Sequence, residues 1–256
     1  MQCKLCLQEK PLIKKSHIIP DFMYKGLFDS KHKIAQKDFV NNRESFPPTG
    51  IYDRYILCAN CDNNVLGGYE TYAAKELFKP SMHEFIHNIK EIFNHHNRNI
   101  DLKISKLHYQ SAKLFLLSIL WRASISKHPF FKFVDLDIIS SEQIRKMLLT
   151  GFACQSDLFE IIIQIFLPDG TRPYFSVGAP RMIPFEENQS YYTFIINSFL
   201  FFFNVSNDSN KNAIFENGYI NENGDFTLFI LTDNIARDIF DGLMGRNINY
   251  KGPFMQ

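Results

Sequence analysis

Four of the five cysteines in this 256-residue chain fall into two pairs with identical spacing. Cys3 and Cys6 form CKLC, and Cys58 and Cys61 form CANC. A Cys-x-x-Cys turn directs two thiolates toward one ion, and a second such turn completes the tetrahedral coordination that zinc prefers. The spacing therefore predicts a structural zinc site with these four ligands.

Two other uses of paired cysteines fit the sequence less well. A redox motif needs a single reactive pair beside a βαβ pattern, whereas here residues 7–57 separate two pairs. Disulfide bonds need an oxidising compartment, and the chain begins without an apolar export signal. The expected location is therefore the cytoplasm, with the thiols reduced and available to a metal.

Residues that can do acid–base or metal chemistry lie next to these pairs. Ser16-His17-Ile18-Ile19-Pro20 stands between them, and Asp62 directly follows the second pair. A histidine side chain titrates near neutral pH, so His17 has the chemistry of a general base. Two other roles fit His17 as well: a packed structural histidine and a substitute zinc ligand. Asp62, and Glu70 eight residues further along a predicted helix, offer carboxylate oxygens to a hard divalent ion.

The combination of these motifs resembles the zinc-finger branch of the HNH, or ββα-metal, endonucleases. The resemblance covers about residues 1–75. It implies a hairpin that carries His17 as the base acting on water, and a helix that begins at the second cysteine pair. It further implies that Asp62 binds a catalytic Mg²⁺ or Mn²⁺ ion, and that Asp53 orients the histidine. Hydrolysis of nucleic-acid phosphodiester bonds, in restriction or antiviral defence, is the implied function.

One position departs from the family pattern. Ser16 stands where the family usually has Asp or another metal ligand, and a hydroxyl is a weaker ligand for a hard cation than a carboxylate. Either a second carboxylate, Glu70 or Asp21, joins Asp62 at the ion, or the chain holds nucleic acid without cutting it. The alternative function is therefore a non-catalytic four-cysteine zinc module that binds nucleic acid or a partner protein.

Charge is distributed unevenly along the chain. Residues 1–132 hold 20 Lys and Arg against 12 Asp and Glu, and residues 133–256 hold 8 against 15. A basic half suits a phosphate backbone, so nucleic acid is the predicted partner, with DNA expected over RNA. The acidic half is a candidate surface for a protein partner, or the two surfaces simply pack together. The basic residues that we expect at the phosphates are Lys14, Lys15, Lys25 and Arg54.

A second catalytic motif competes with this interpretation. Residues 83–87 read HEFIH, an H-E-x-x-H pattern in which His83 and His87 share a helix face and Glu84 is the base of a zinc metalloprotease. A third ligand with a recognised spacing is missing from the sequence that follows. We therefore keep the protease as a remote alternative.

The elements around these residues predict an α+β protein. We expect a treble-clef, ββα-metal-like zinc module over residues 1–80, a helical segment over 81–150, and an acidic α+β module with an antiparallel sheet over 151–256. Residues 107–126 are apolar nearly all round, which predicts a buried helix. The longest apolar run, Tyr191 to Val205, is too short to span a bilayer, so no membrane association is predicted.

Overall fold

A computed structural model describes most of the chain and confirms the α+β class. The described residues are 1–25, 27–29, 31, 33–34, 36–38, 43–45, 49–78, 100–166, 177–184, 190–197, 199–205 and 218–231. The α-helices are α1 (Gly67–Glu76), α2 (Tyr109–Ile125) and α3 (Ile138–Thr150). The strands are β1 (Ser16–His17), β2 (Gln36–Asp38), β3 (Arg43–Ser45), β4 (Tyr52–Asp53), β5 (Ile100–Ile104), β6 (Ile161–Phe166), β7 (Val177–Pro184), β8 (Ser190–Ile196), β9 (Phe199–Asn204) and β10 (Phe226–Leu231).

Eight of these strands form one mixed sheet, in the order β3-β2-β7-β8-β9-β6-β10-β5. The pairs β2–β7 and β6–β10 are parallel, and the other neighbours are antiparallel. Every residue of β9, FLFFFN, is buried, as expected for a central strand covered on both faces. The sheet therefore includes strands from residues 36–45 and 100–104 as well as from the C-terminal half.

The helix predicted from the apolar run at residues 107–126 forms as α2. Its side chains from Ala112 to Ala123 are all buried, which explains why the sequence shows no polar face. Helix α2 packs against both α1 and α3. It therefore lies at the centre of the described helices.

Aromatic rings join the N-terminal segment to the sheet. Phe78, just after α1, has its ring centroid 5.0 Å from that of Phe199 and 6.0 Å from that of Phe115. Phe22 lies 5.8 Å from Phe115. These contacts belong to one continuous core that also includes the cysteines. Within the described parts of the chain, no helix combines the length and the hydropathy needed to cross a bilayer.

Candidate metal centre and the residues around it

The four predicted ligand cysteines come together in space. One sulfur from each of Cys3, Cys6, Cys58 and Cys61 lies within 4.8 Å of all the others. Zinc–sulfur bonds of about 2.3 Å in a tetrahedron require sulfurs about 3.8 Å apart, so a small inward movement completes the geometry. The expected cluster near the N-terminus is therefore confirmed, and its donor set fits a metal ion such as zinc.

Backbone hydrogen bonds hold the two cysteine turns against each other. The amide of Lys4 donates to the carbonyl of Ile56 at 3.0 Å, and the amide of Cys58 donates to the sulfur of Cys3 at 3.3 Å. The amide of Leu7 closes the first turn by donating a hydrogen bond to the carbonyl of Cys3 at 2.8 Å. The φ of 59° at Leu7 reverses the chain there. The sulfur positions thus follow from local turns joined by long-range backbone pairing.

The electrostatics of the cluster favour a bound cation. Burial opposes ionisation of Cys3, but hydrogen bonds from the amides of Cys6, Cys58 and Leu5 outweigh it and lower the pKa of Cys3 to about 7. Burial and the neighbouring thiols raise the pKa of Cys61. Four adjacent thiolates repel one another unless a cation compensates their charge, so this set of donors suits a divalent, thiophilic ion.

A two-stranded hairpin carries the predicted base. In the β1–β4 pair, Ser16 lies opposite Asp53 and His17 lies opposite Tyr52. The rings of His17 and Tyr52 meet edge to face with centroids 6.3 Å apart. Because side chains alternate along a strand, the fully buried Ser16 faces inward while the half-buried His17 faces the opposite side.

The second cysteine turn brings Asp62 onto this hairpin. Asp62 lies in the π-helical turn Asn60–Leu66, which begins within the second cysteine pair and leads directly into α1. The Ser16 hydroxyl donates to its Oδ1 at 2.5 Å. Positions 16 and 62 are therefore in direct contact, although they are 46 positions apart in the sequence.

Arg122 joins the hairpin to α1 from within the core. Its Nη1 donates to the backbone carbonyl of His17 at 2.6 Å and to Glu70 Oε1 at 2.7 Å. Its Nε and Nη2 donate to the backbone carbonyl and the hydroxyl of Ser118. The side chain of Arg122 is 2% exposed and that of Glu70 is 27% exposed, so this is a largely buried ion pair.

Glu70, the second carboxylate expected at the catalytic ion, uses one of its oxygens to accept the hydrogen bond from Arg122. Across the described residues, the four sulfurs are the one group of three or more His, Cys, Asp or Glu side chains close enough to hold an ion. His17, Asp62 and Glu70 do not form such a group. Asp21, the other carboxylate considered, is exposed at the start of the 3₁₀ helix Asp21–Tyr24.

Asp53 fastens the hairpin to the end of α2. Its Oδ2 accepts from the Ser126 hydroxyl at 2.9 Å and the Lys127 amide at 2.6 Å, and its Oδ1 accepts from the Arg54 amide at 2.6 Å. Burial raises the pKa of Asp53, but these donors and the charge of Lys4 outweigh it and hold the pKa below its ordinary value. The ring that meets His17 belongs to Tyr52, so an orienting role for Asp53 stays a prediction.

The predicted phosphate contacts lie on the surface. Lys14, Lys15, Lys25 and Arg54 are all exposed. The Lys15 ammonium stands 4.8 Å from the centre of the Tyr52 ring, and Lys15 directly precedes β1, the strand that carries the predicted base. The HEFIH motif at residues 83–87 lies outside the described residues.

The buried role of Arg122 is not among the predictions made from the sequence. A signal was present, because a lone guanidinium on a helix that is apolar all round must find a buried acceptor.

Comparison of the chain with protein-family models, with curated proteins and with solved structures finds no match.

Proposed function

We propose that the chain is a metal-dependent endonuclease of HNH type that hydrolyses phosphodiester bonds of nucleic acid, in restriction or antiviral defence. The contact of Ser16 with Asp62 carries this proposal. It joins the strand of the expected base to the residue that follows the second cysteine pair, as a ββα-metal hairpin and helix require. The zinc cluster supports the proposal because it fixes the start of that helix.

In this proposal His17 takes a proton from the attacking water. The His17 ring contacts the Tyr52 ring, and the His17 carbonyl accepts a hydrogen bond from Arg122. These two contacts fix the position from which the imidazole projects. Its half-buried position leaves the imidazole open to solvent and substrate. A positioned histidine contributes about 10²–10⁴-fold to such a step.

Asp62 is the proposed ligand of a catalytic Mg²⁺ or Mn²⁺ ion, which when bound supplies charge stabilisation to the scissile phosphate. The Ser16 hydroxyl orients the carboxylate through Oδ1. Glu70 remains the second proposed carboxylate, through the oxygen that does not contact Arg122. Exposed Lys14, Lys15 and Arg54 supply sequence-independent contacts to the phosphate backbone.

A specific observation supports a second candidate function, a zinc module that binds nucleic acid or a partner protein without cleavage. Ser16 supplies a hydroxyl at a position where catalysis calls for a ligand, and Glu70 is already paired with Arg122. In that case the exposed basic residues beside the hairpin, Lys14, Lys15 and Arg54, bind the phosphates. The acidic half, residues 133–256, is then available to a partner protein.

Cleavage of plasmid DNA and of single-stranded RNA with Mg²⁺ or Mn²⁺ tests the proposal. We expect the wild-type protein to cut one of these substrates and His17→Ala to lose at least about 10²-fold in rate. His83→Ala is the matched control, since it removes the same kind of ring from the HEFIH motif and leaves the hairpin intact.

The possible results separate the candidate functions. Equal cleavage by wild type and His17→Ala contradicts the endonuclease proposal, as does the absence of cleavage by either protein. Nucleic-acid binding without cleavage favours the second candidate. Casein hydrolysis that is lost in His83→Ala and kept in His17→Ala would assign the chain to the metalloproteases.

A further inference from the structure

A small aromatic cavity opens where the N-terminal segment meets the sheet. It lies between the 3₁₀ helix Asp21–Tyr24, helix α1 and the turn from β8 to β9, and it encloses about 190 Å³. Cavities at the junction of structural units are common ligand sites. The residues that line it include Phe22, Lys25, Ala74, Phe78, Asn197 and Phe199.

The walls of this cavity suit a flat ring. Phe78 meets Phe199 edge to face with centroids 5.0 Å apart, and Phe22 meets Phe78 at 5.8 Å. Aromatic faces of this kind attract nucleobases through stacking, whatever the base. The volume is well below the range of about 300–1,000 Å³ typical of pockets for drug-sized ligands, so a single nucleobase, with one ring or two fused rings, fits and a large ligand does not.

Two polar residues in the cavity lining, Asn197 and Lys25, supply groups that orient a bound ligand. Asn197 begins the β8–β9 turn with a φ of 58°, and its side-chain nitrogen donates to the backbone carbonyl of Lys25 at 3.3 Å. An asparagine amide also has an acceptor oxygen, which suits the polar edge of a base. Lys25 is exposed at the rim, where an ammonium group can meet a phosphate.

The cavity lies close to the proposed active site. Phe22 follows His17 by five residues, which span at most about 18 Å even when fully extended. The cavity therefore lies within a few nucleotide lengths of His17.

We propose that this cavity receives one unstacked nucleobase of the bound strand, while Lys25 contacts the adjoining phosphate. This inference rests on the proposed function, because it assumes that nucleic acid lies across the hairpin. Taking a base out of the stack is least costly in single strands or at mismatches, so the site favours such substrates.

Fluorescence of 2-aminopurine tests this inference in the His17→Ala background, where substrate stays intact. Single-stranded oligonucleotides carry the probe at one position each, and we expect one position to brighten several-fold on binding. Ala74→Leu fills the cavity without removing a polar contact, and we expect it to abolish the signal. Gly68→Leu is the matched control, because it adds a similar side chain at an exposed position of the same helix, where an added Cβ meets no neighbour.

The remaining outcomes distinguish the two proposals. Failure of the His17→Ala protein to bind any DNA or RNA overturns the proposed function and the cavity assignment together. Tight binding with no bright position, or an equal loss of signal in Gly68→Leu and Ala74→Leu, overturns the cavity assignment alone. Competition by a free nucleoside monophosphate as strong as that by the oligonucleotide also overturns it, because the site would then belong to a free nucleotide.

Lys25→Ala provides a second measurement that does not depend on filling the core. If Lys25 contacts a phosphate, the slope of log K against log salt falls by about one and binding weakens for all sequences alike. An unchanged slope contradicts the phosphate contact. Zinc content and thermal unfolding of each variant show whether the fold is intact.

Discussion

At the scale of single residues, the site depends on polar groups that are buried with their partners. Arg122 has acceptors in three elements, and Ser16 and Asp53 each connect the hairpin to a different helix. A buried group that loses its partner costs far more than an exposed one, because it cannot regain hydrogen bonds to water. Substitutions at these residues therefore report on the site more sharply than surface changes do.

Arg122→Met should destabilise the protein by about 3–5 kcal/mol, since Glu70 and the His17 carbonyl both lose their buried donor. Glu70→Gln keeps an acceptor oxygen for the guanidinium but removes the charge, so we expect a smaller loss of about 1–2 kcal/mol. Urea unfolding measures both. If Glu70→Gln leaves the free energy of unfolding unchanged yet weakens Mg²⁺ binding, Glu70 is a metal ligand and not mainly the partner of Arg122.

Ser16→Asp should raise the affinity for Mg²⁺ or Mn²⁺, because it places a second carboxylate against Asp62. In the absence of metal we expect this variant to unfold at a lower temperature, since two carboxylates in contact repel each other. Thermal unfolding across a metal titration shows both effects. Asn64→Asp is the control, because it adds the same charge at an exposed position of the same turn. An identical response of the two variants would contradict a metal position at Asp62.

Asp53→Asn should remove a pH-dependent part of the stability. The folded pKa of Asp53 lies below its ordinary value of 3.8, so its contribution is present above that pH and is lost as the pH falls further through the folded pKa. We expect wild type to exceed the variant by about 1–2 kcal/mol at pH 7, with a smaller difference at pH 3. A difference that stays constant between these pH values in urea unfolding would contradict the hydrogen bonds assigned to the carboxylate.

At the scale of elements, the two cysteine turns are supported by helices that lie far away in the sequence. Arg145 of α3 donates to the Leu5 carbonyl at 2.5 Å while pairing with Glu142, and the Lys4 ammonium donates to the carbonyl of Ile125 at the end of α2 at 2.7 Å. Each contact reaches the CKLC turn between its two cysteines. The metal site and the helices are therefore expected to stabilise each other.

Arg145→Met tests this coupling. Without the guanidinium the Leu5 carbonyl loses its donor, and we expect zinc to pass to a chelator several-fold faster than in wild type. Lys146→Met serves as the control, because Lys146 is exposed on the same helix and lies 3.6 Å from the same Glu142 carboxylate. Equal rates of zinc release for the two variants would show that α3 does not support the site.

At the scale of the whole molecule, the sequence predicts what local spacing controls. The two Cys-x-x-Cys turns are predictable because they depend on short-range geometry. The helix at residues 107–126 is predictable as a buried one because its composition is apolar. The place of β2 in the sheet was not predictable in this way, because its three residues join the sheet through β7, far along the chain. Short strands carry too little periodicity for a pattern to reveal them.

The same reasoning applies to the candidate site. The sequence marked Ser16, His17 and Asp62 as separate motifs, but the hydrogen bond between Ser16 and Asp62 depends on how the cysteine turns pack. The partners of Asp53 at residues 126 and 127 follow from the position of α2 and could not be read from neighbouring residues. The proposed function therefore depends on the four-cysteine cluster, which fixes where the hairpin meets the helix.

X-ray absorption at the zinc edge of the purified protein tests the four-sulfur metal site, on which the account rests, most directly. The account predicts one zinc per chain with four sulfur neighbours at about 2.3 Å, and loss of that zinc in Cys58→Ser. A protein that holds no zinc, or a first shell that contains nitrogen or oxygen in place of one or more sulfurs, would contradict it.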